Sequence, residues 1–391
     1  MTHQVFVNPR AAERLAPAPS IAPMPIDFHR TMPGYEPTPL RELPALAQRL
    51  GVARVYVKDE SSRMGLPSFK LLGASWASSR AVAREWIGTD ELLSPEQIRE
   101  RIPQPHAHRL VAATDGNHGR GIAYMSRLFG VACTIYVPAG TADSRIRDIE
   151  SEGATVVVVD GTYDDAIARS AEDADDRTLV VSDTSWEGYM EIPASVIDGY
   201  STLFAEVDDA VSSRGLPEPT VVAMQAGVGA FAAAALRHYR ASTRENAPRT
   251  VIVEPTSANS LLVSAQHGEP TEVPGPHPST MAGLNCGLPS ILAWNDIVVA
   301  ADTFVAVEDA AAEEAMRALA GAGVVSGESG AAGLAGLIEI AEHGTAQERS
   351  AVGLHPDAVV LLVNTEGATD PENYERVVGR RPETLAATAA V

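Results

Sequence analysis

Lys70 carries a charge into a run of apolar and small residues, P-S-F-K-L-L-G-A at 67–74. An amine in such surroundings can do covalent chemistry, because a desolvated lysine forms imines with carbonyl compounds. A simpler interpretation is a lysine whose stem lies along an amphipathic helix while its charge reaches water. The other polar residues at strand ends distinguish the two interpretations.

A second chemical pattern is A-A-T-D-G-N-H-G-R-G at 112–121, which follows an apolar strand and opens a helical stretch. Gly116 and Gly119 let the backbone approach a ligand, and a helix N-terminus offers unpaired N–H groups to an anion. Asn117 can donate a hydrogen bond to a ring oxygen, and Asp115 places a carboxylate beside this anion site. A capped tight turn would explain Asp115 alone, but it would not explain the combination of Asp, Gly, Asn, His and Gly at 115–119.

Two further turns follow apolar strands. In V-V-A-M-Q-A-G-V-G-A-F at 221–231, a strand enters a Gly/Ala loop and an Ala-rich helix, which is typical of a phosphate nest. The loop is neither a P-loop nor a full G-x-G-x-x-G, and close helix–sheet packing would also explain its glycines. In V-V-L-L-V-N-T-E-G-A-T-D at 359–370, the strand ends at the hydroxyl of Thr365, which could equally cap the next turn.

The elements that position these turns alternate between strand and helix. Strands are predicted for the apolar runs A-R-V-Y-V-K-D, R-L-V-A-A-T, V-A-C-T-I-Y-V-P, A-T-V-V-V-V-D, T-L-V-V-S, T-V-V-A-M-Q, R-T-V-I-V-E-P and A-V-V-L-L-V-N. Because these runs do not alternate apolar and polar residues, we expect both strand faces to be buried. The pattern predicts an α/β fold with parallel-rich sheets flanked by helices, whose ligands bind where strands end and helices begin.

Three segments stand outside this pattern. The first 45 residues are rich in proline and predict extended chain that lies over other elements. Residues 88–109, rich in Pro, Glu and His, predict a surface insertion, and the last dozen residues predict a frayed tail.

Composition limits the possible partners. The 391 residues are enough for two domains, and the net charge is −21. That charge repels nucleic-acid phosphates and anionic membrane surfaces, so we expect neither as a partner. Cys133 and Cys286 stand far apart, which argues against a disulfide framework or a zinc site, and we expect no bound metal. The N-terminus lacks a secretory signal, so we expect a cytoplasmic protein.

The chemical patterns together match the needs of one cofactor. Pyridoxal phosphate requires a lysine for an imine, a donor for its phenolic oxygen, a nest for its phosphate and a partner for its ring nitrogen. A neutral hydroxyl at that nitrogen leaves the pyridine unprotonated, which disfavours a long-lived carbanion and favours rapid loss of a β-leaving group. The residues alone therefore indicate elimination from a small amino acid.

The motifs also resemble a known family. K-D-E-S-S-R at 58–63 followed by P-S-F-K at 67–70 resembles the Schiff-base segment of the fold-type II pyridoxal-phosphate enzymes. T-D-G-N-H-G at 114–119, with an aspartate where dehydratases have a small neutral residue, is similar to the diaminopropionate ammonia-lyases. The segments that resemble these lyases as well are 182–189, 225–230, 281–287, 325–333 and 364–370. The resemblance extends over about residues 35–374.

This resemblance implies a role for each matching residue. Lys70 would hold the cofactor as a Schiff base, and Asn117 would hydrogen-bond its phenolic oxygen. Thr365 would face the pyridine nitrogen. The phosphate would be held by the amides of Gly227, Val228 and Gly229.

The resemblance likewise implies the residues that act on the substrate. Lys70, Asp115 and Asp183 would be catalytic, with the lysine as base for one enantiomer and an aspartate for the other. Asp115, Gly116 and His118 would bind the substrate. A carboxylate could hold a positively charged β-ammonium leaving group, although Asp183 could instead be a structural cap of its turn.

The family implies a homodimer whose subunits have two domains. A large, discontinuous cofactor-binding domain would comprise residues 1–75 and 186–391, and a small mobile domain residues 76–185. The activity implied is a catabolic, pyridoxal-phosphate-dependent carbon–nitrogen lyase reaction. It would eliminate ammonia from 2,3-diaminopropionate to give aminoacrylate, then pyruvate and a second ammonia.

Three alternatives remain on the sequence alone. A dehydratase of β-hydroxy amino acids or a β-replacement enzyme would use the same scaffold, and Trp76 or the run M-E-I-P-A-S-V after 189 could reshape its pocket. A non-catalytic protein that binds pyridoxal phosphate would be expected to have lost Lys70 or the loop at 112–121 that carries Asn117, the asparagine loop. A dinucleotide-dependent dehydrogenase would need the complete glycine pattern.

Overall fold

The computed structural model describes residues 3–11, 24–114, 116–241 and 247–382. The strands within these ranges are His3–Val7 (β1), Leu40–Glu42 (β2), Arg54–Asp59 (β3), Arg109–Ala113 (β4), Ala132–Pro138 (β5), Thr155–Val159 (β6), Thr178–Val180 (β7), Val221–Gln225 (β8), Arg249–Pro255 (β9), Thr303–Val307 (β10) and Val359–Asn364 (β11). The α-helices within them are Pro25–His29 (α1), Pro44–Leu50 (α2), Lys70–Val82 (α3), Pro95–Arg101 (α4), Asn117–Phe129 (α5), Asp143–Ser151 (α6), Tyr163–Ala171 (α7), Glu191–Gly199 (α8), Ser201–Ser213 (α9), Ala230–Tyr239 (α10), Ser260–His267 (α11), Ile291–Ala300 (α12), Asp309–Gly321 (α13), Glu328–His343 (α14), Ala346–Ala351 (α15) and Pro371–Val378 (α16).

The chain divides into two compact units, each with its own sheet. The seven-stranded unit comprises Met1–Ser20, Pro37–Ser62 and Phe204–Val391. The four-stranded unit comprises Ile21–Glu36 and Arg63–Leu203.

In the seven-stranded unit the strand order is β1-β10-β9-β8-β11-β3-β2. The five inner strands are mutually parallel, and β1 and β2 pair antiparallel at the two edges. Strands β8 and β11 are neighbours, with Val360 opposite Val221. Their carboxyl ends, Gln225 and Asn364, therefore lie at the same edge of the sheet, and the turns after them begin there.

Helix α14 packs on this sheet through a row of glycines. A Cβ on Gly336 would lie 2.7 Å from Cγ2 of Val253, and a Cβ on Gly333 would lie 3.0 Å from Oε1 of Gln225. Because only a hydrogen fits at these positions, the helix backbone approaches the sheet closely. This approach brings the first turn of α14 to the carboxyl end of β8.

The four-stranded unit has the order β6-β5-β4-β7, with all strands parallel. Helix α3, which begins at Lys70, packs against α5 and α8. Glycines again permit the contact, since a Cβ on Gly121 would lie 2.9 Å from Cβ of Ala74 and a Cβ on Gly199 would lie 2.6 Å from the carbonyl oxygen of Leu72. Trp76 is buried on α3 with its ring 5.8 Å from that of Phe28, so it packs within this core.

The parallel α/β architecture predicted from the sequence is confirmed, and each of the eight predicted strands is present. One expectation about burial is wrong. Strand β6 is an edge strand, and Val158 on it is 56% exposed, because only one side of the strand has a pairing neighbour. A run of valines therefore does not by itself indicate burial on both faces.

Two expectations about irregular segments need correction. The proline-rich beginning of the chain contains strand β1, which pairs with β10, as well as helix α1 and strand β2. Within 88–109, helix α4 begins with a Ser94–Gln97 capping box and buries Ile98, so part of this segment belongs to the core of its unit. Most of the predicted tail, 383–391, lies outside the described residues.

Both cysteines are buried free thiols. In the described ranges, no cluster of three or more His, Cys, Asp or Glu side chains is arranged to hold a metal ion. None of the helices in the same ranges has the length and apolar composition needed to cross a bilayer.

Candidate active site

Lys70 is the first residue of α3, and its side chain is 18% exposed. Its Nζ donates a hydrogen bond to Oδ2 of Asp183 at 2.5 Å. The chain has only one other lysine, Lys58, which is buried in an ion pair with Glu206. The charge at position 70 is therefore held by a buried carboxylate, which argues against a lysine that merely reaches water.

Asp183 lies in the turn after β7 and is 4% exposed. Burial alone favours its protonated form, but the charge of Lys70, the electrostatic effect of the nearby His118 ring and the hydrogen bonds from Lys70 and Tyr163 together lower the pKa of Asp183 well below its usual value. Asp183 is thus an anion at neutral pH. In the described part of the chain, its carboxylate accepts from side chains and from no backbone N–H group of its turn, so it does not act as a turn cap.

The turn that carries Asp183 is stabilised by Tyr189. The Tyr189 hydroxyl donates to the carbonyl oxygen of Val180 at 2.6 Å and accepts from the backbone N–H of Ser182 at 3.1 Å. The Tyr189 ring stacks on Trp186 with 4.2 Å between centroids. The motif 182–189 therefore folds back on the end of β7 and leaves the Asp183 carboxylate directed at Lys70.

Tyr163, the first residue of α7, donates its hydroxyl to Oδ1 of Asp183 at 3.0 Å. No motif in the sequence predicts this contact. A lone tyrosine at the start of a helix carries no pattern that distinguishes it from a core residue, and only the fold brings it to the carboxylate.

His118 is fully buried on α5, and its Nε2 lies 2.7 Å from the carbonyl oxygen of Val181. Since a carbonyl only accepts, the proton is on Nε2. Nδ1 is an acceptor that has no hydrogen-bond partner among the described residues. Burial, reinforced by the charge of Lys70 and opposed by Asp183, lowers the pKa of His118, so the ring is neutral at pH 7.

The asparagine loop begins α5 at Asn117. Gly116 has φ +152°, and its N–H donates to Oγ1 of Thr114 at 2.9 Å, as does the N–H of Gly119 at 3.1 Å. A Cβ on Gly119 would lie 2.3 Å from Cγ2 of Thr114, so both glycines are required by the tight turn. Asp115, the predicted catalytic carboxylate of this loop, lies outside the described residues.

The glycine loop, residues 226–229, joins β8 to α10 in the seven-stranded unit. Gly229 has φ +97° and precedes α10 without a side-chain cap. A Cβ on Gly227 would lie 2.9 Å from Sγ of Cys286, and a Cβ on Gly229 would lie 2.7 Å from Cδ1 of Ile297. Within the described residues, the N–H groups of Gly227, Val228 and Gly229 have no protein acceptor.

These features fit a phosphate group. Unpaired amides at the N-terminus of a ten-residue helix bind an anion, and glycines keep the approach open. Thr365 follows β11 in the same unit, and its Oγ1 lies 2.7 Å from Nε2 of Gln225. The seven-stranded unit therefore carries a phosphate-type nest and a buried hydroxyl, which suit two ends of pyridoxal phosphate.

Gln225 lies within the motif 221–231, but the sequence pattern alone gives it no function. Its side chain is 2% exposed, and Nε2 lies close to three oxygen atoms. A buried glutamine in an apolar strand was a signal that could have been used, because buried amides need several partners.

Comparisons with known proteins agree on pyridoxal phosphate as the cofactor. The sequence profile of the pyridoxal-phosphate dependent enzymes matches residues 31–363. The diaminopropionate ammonia-lyase of Salmonella typhimurium is 37% identical over 367 residues, which cover 90% of this chain and 90% of that protein. A biosynthetic L-threonine dehydratase of Corynebacterium glutamicum is 27% identical over 88% of this chain and 70% of that protein.

Among solved structures, those of a diaminopropionate ammonia-lyase are also similar to this chain. The diaminopropionate ammonia-lyase of Escherichia coli in complex with D-serine matches with a TM-score of 0.88 and 34% identity, covering 96% of each chain. The same enzyme in complex with an aminoacrylate-PLP azomethine reaction intermediate matches with a TM-score of 0.86 and 35% identity over 96% of each chain. With its family profile matched over most of its length, this chain belongs to the pyridoxal-phosphate dependent enzymes.

Proposed function

We propose that this protein is a carbon–nitrogen lyase that eliminates ammonia from 2,3-diaminopropionate. The product 2-aminoacrylate hydrolyses to pyruvate and a second ammonia. The observation that carries the proposal is the buried, anionic Asp183 carboxylate, with Oδ2 2.5 Å from Nζ of Lys70. The likeness to the enzymes from Salmonella typhimurium and Escherichia coli supports it.

Each residue assigned to the cofactor would contact a different part of it. Pyridoxal phosphate, when bound, supplies a ring that accepts electron density released at the α-carbon of an amino acid. Lys70 would hold it covalently through Nζ, and Asn117 would donate to the phenolic oxygen. The N–H groups of Gly227, Val228 and Gly229 would bind the phosphate dianion.

Thr365 and Lys70 would determine how electrons and protons move. A neutral hydroxyl at the ring nitrogen would not protonate it, and this would favour loss of a β-group over a stable carbanion. Lys70 would take the α-proton of the substrate on Nζ. Asp183 lies close enough to exchange that proton or to hold the resulting ammonium.

The carboxylates would select the substrate. The β-ammonium of diaminopropionate already carries its proton and a positive charge, so it needs a carboxylate for binding and no acid for departure. Asp183 or Asp115 would bind it by a charge-assisted hydrogen bond. Asp115 would also accept the α-proton from the opposite face, and Gly116 and His118 would contact the substrate.

We also propose a cytoplasmic homodimer. The two buried free thiols are consistent with a reducing compartment. Within each subunit, residues 1–75 and 186–391 would form the large cofactor-binding domain and residues 76–185 the small mobile domain. Light scattering on the purified protein measures the subunit number directly.

The test is an absorption spectrum of the purified protein before and after addition of DL-2,3-diaminopropionate, with pyruvate assayed in parallel. We expect an absorption band of the cofactor held as an imine with lysine, and this band should shift on addition of the substrate. Pyruvate should form in about the amount of diaminopropionate consumed. A protein that binds no pyridoxal phosphate, even after addition of the cofactor, would overturn the proposal.

The alternatives give different results in the same assay. A cofactor band without pyruvate from diaminopropionate, but with keto acid from serine or threonine, would make the protein a β-hydroxy amino-acid dehydratase. Consumption of O-acylserine together with a second nucleophile would indicate β-replacement. A band with no turnover of any of these substrates would indicate a non-catalytic protein that binds the cofactor.

A further inference from the structure

Gln225 holds a hydrogen-bond position that the proposed chemistry has not used. It is the last residue of β8, immediately before the glycine loop, and it is 2% exposed. Its Nε2 lies 2.7 Å from Oγ1 of Thr365, 3.1 Å from the carbonyl oxygen of Val363 and 3.2 Å from that of Gly330. One side chain therefore connects the ends of β8 and β11 and the first turn of α14.

The orientation of this amide is determined by its partners. The oxygens of Val363 and Gly330 are carbonyls, which only accept, so the atom facing them must be the N–H₂ group. The opposite orientation would place Oε1 against two other oxygens. In the observed orientation Oε1 is buried without a hydrogen-bond partner in the described residues.

This orientation decides which way the Thr365 proton points. An amide nitrogen donates and does not accept, so the Thr365 hydroxyl cannot give its proton to Gln225. The structure gives that hydroxyl no other acceptor within the described ranges. Its O–H therefore stays available for a ligand, and the hydrogen bond received from Gln225 makes it a better donor, because hydrogen bonds in a chain polarise one another.

The buried Oε1 supports a functional role. An unpaired buried acceptor is destabilising, so its presence in a folded protein needs an explanation. Methionine would fill the same volume in this apolar strand without that cost. Glycine at 333, where a Cβ would lie 3.0 Å from Oε1, leaves space for the unpaired oxygen.

We propose that Gln225 is a positioning residue that directs the Thr365 hydroxyl proton to the pyridine nitrogen. The inference rests on the proposed function of Thr365 as the partner of that nitrogen. Because Gln225 is followed directly by the loop assigned to the phosphate, the same side chain fixes the spacing between the phosphate contact and the ring-nitrogen contact. Gln225 does not touch the reacting atoms, and it acts through Thr365.

The test compares two cofactors in the full-length protein freed of its cofactor. One is pyridoxal phosphate, and the other is 1-deazapyridoxal phosphate, in which C–H replaces the ring nitrogen. Binding of each is followed by fluorescence in the wild type, in Gln225→Met and in Thr365→Val. The ratio of the two dissociation constants measures the contact to the nitrogen, and general damage to the site cancels in it.

We expect the wild type to prefer pyridoxal phosphate over the deaza analogue. Gln225→Met should reduce that preference by about threefold to tenfold, the effect of one hydrogen bond, and Thr365→Val should reduce it at least as much. Gln225→Glu provides a second variant should the methionine protein not fold. Its carboxylate would accept the Thr365 proton, so the preference should fall at least as far. Met224→Leu, one residue earlier on the same strand, should leave the preference unchanged.

One outcome would contradict the role proposed for Gln225, and another would contradict the proposed function. Equal weakening of both cofactors in the Gln225 variants, with the preference preserved, would mean that Gln225 only joins the strands, and the proposed function would stand. A wild type that binds neither cofactor would refute the proposed function itself.

Discussion

The glycine loop of the seven-stranded unit and the Lys70–Asp183 pair of the four-stranded unit expose chemical groups by different means. The loop offers backbone N–H groups, and its shape is fixed by packing, since Cβ atoms at Gly227 and Gly229 would meet neighbours within 3 Å. The pair offers charged side chains, and its geometry is fixed by hydrogen bonds to Oδ1 and Oδ2 of Asp183.

This difference determines what each region tolerates. A backbone site is insensitive to the charge of neighbouring side chains and sensitive to a single added methyl group. A side-chain site tolerates small volume changes at its rim and fails when one charge is removed, because the partner is left buried and unpaired. Substitutions of volume and of charge should therefore separate the two regions.

The largest effect is expected for Lys70→Arg. Arginine keeps the positive charge beside Asp183 but forms no stable imine, so turnover of diaminopropionate should fall by at least about 10³-fold while the fold is retained. Borohydride reduction followed by peptide mass spectrometry should attach the cofactor to Lys70 in the wild type. Lys58 is the only other lysine of the chain, so it is the only lysine that remains in the arginine variant.

Attachment of the cofactor to Lys58 in the wild type would refute the assignment. An arginine variant with unchanged turnover would do the same. Thermal unfolding of both proteins serves as the control for folding.

Asp183→Asn removes charge with almost no change of volume. We expect kcat/KM for diaminopropionate to fall by about 10²-fold, because a charge-assisted hydrogen bond to the β-ammonium and the partner of Lys70 are both lost. The loss for serine, the comparison substrate with a neutral β-group, should be smaller. Asp173→Asn, which removes a half-buried carboxylate paired with Arg169 and Arg109 in the same unit, is the matched control.

Equal losses for the two substrates would show that Asp183 acts on Lys70 alone. Asp115→Asn belongs in the same experiment. It should keep the cofactor absorption and lose most elimination from diaminopropionate, and near wild-type turnover would remove the role assigned to Asp115.

Gly229→Ala tests volume in the glycine loop. Alanine at φ +97° is strained, and its Cβ would lie 2.7 Å from Cδ1 of Ile297, so we expect a loss of about 1–3 kcal/mol in stability. The affinity for pyridoxal phosphate should fall about tenfold or more. Gly215→Ala, at φ +61° with nothing within 4 Å, should cost about 1–2 kcal/mol and leave cofactor affinity unchanged.

The same two regions differ in how far the sequence predicts them. The strand ends and the glycine loop were predictable, because apolar runs and glycine spacing are local patterns. The edge strands β1 and β2 and the inner strand β10 were missed. β1 lies close to proline-rich sequence and pairs with a strand about 300 residues away, and such pairing leaves little local signal.

Within the sites, the sequence predicts functions for motif residues whose types match the chemistry, and it gives none to Tyr163 or Gln225, whose contacts depend on the fold. Lys70 and Asp183 were selected because each stands in a recognisable segment, and the structure brings them together. Tyr163 reaches Asp183 only through the fold of α7. Gln225 required knowledge of which carbonyls surround it, since its function depends on the direction of one amide.

The smallest effect is expected for Tyr163→Phe, which removes one hydrogen bond from Asp183 and keeps the ring. The bond of 3.0 Å favours the charged carboxylate, so its loss should raise the pKa of Asp183 toward the usual value and lower kcat/KM by about threefold to tenfold. A carboxyl whose pKa is lowered by folding stabilises the protein fully above its unfolded pKa of 3.8, and this stabilisation is lost as the pH falls below that value. Urea unfolding from pH 4 downward to the acid limit of folding, the range in which the folded-state carboxyl titrates, should therefore show a smaller loss of stability in Tyr163→Phe than in the wild type. An identical loss over that range would mean that the phenol contributes nothing to the charged state of Asp183, and its other neighbours would then account for its low pKa.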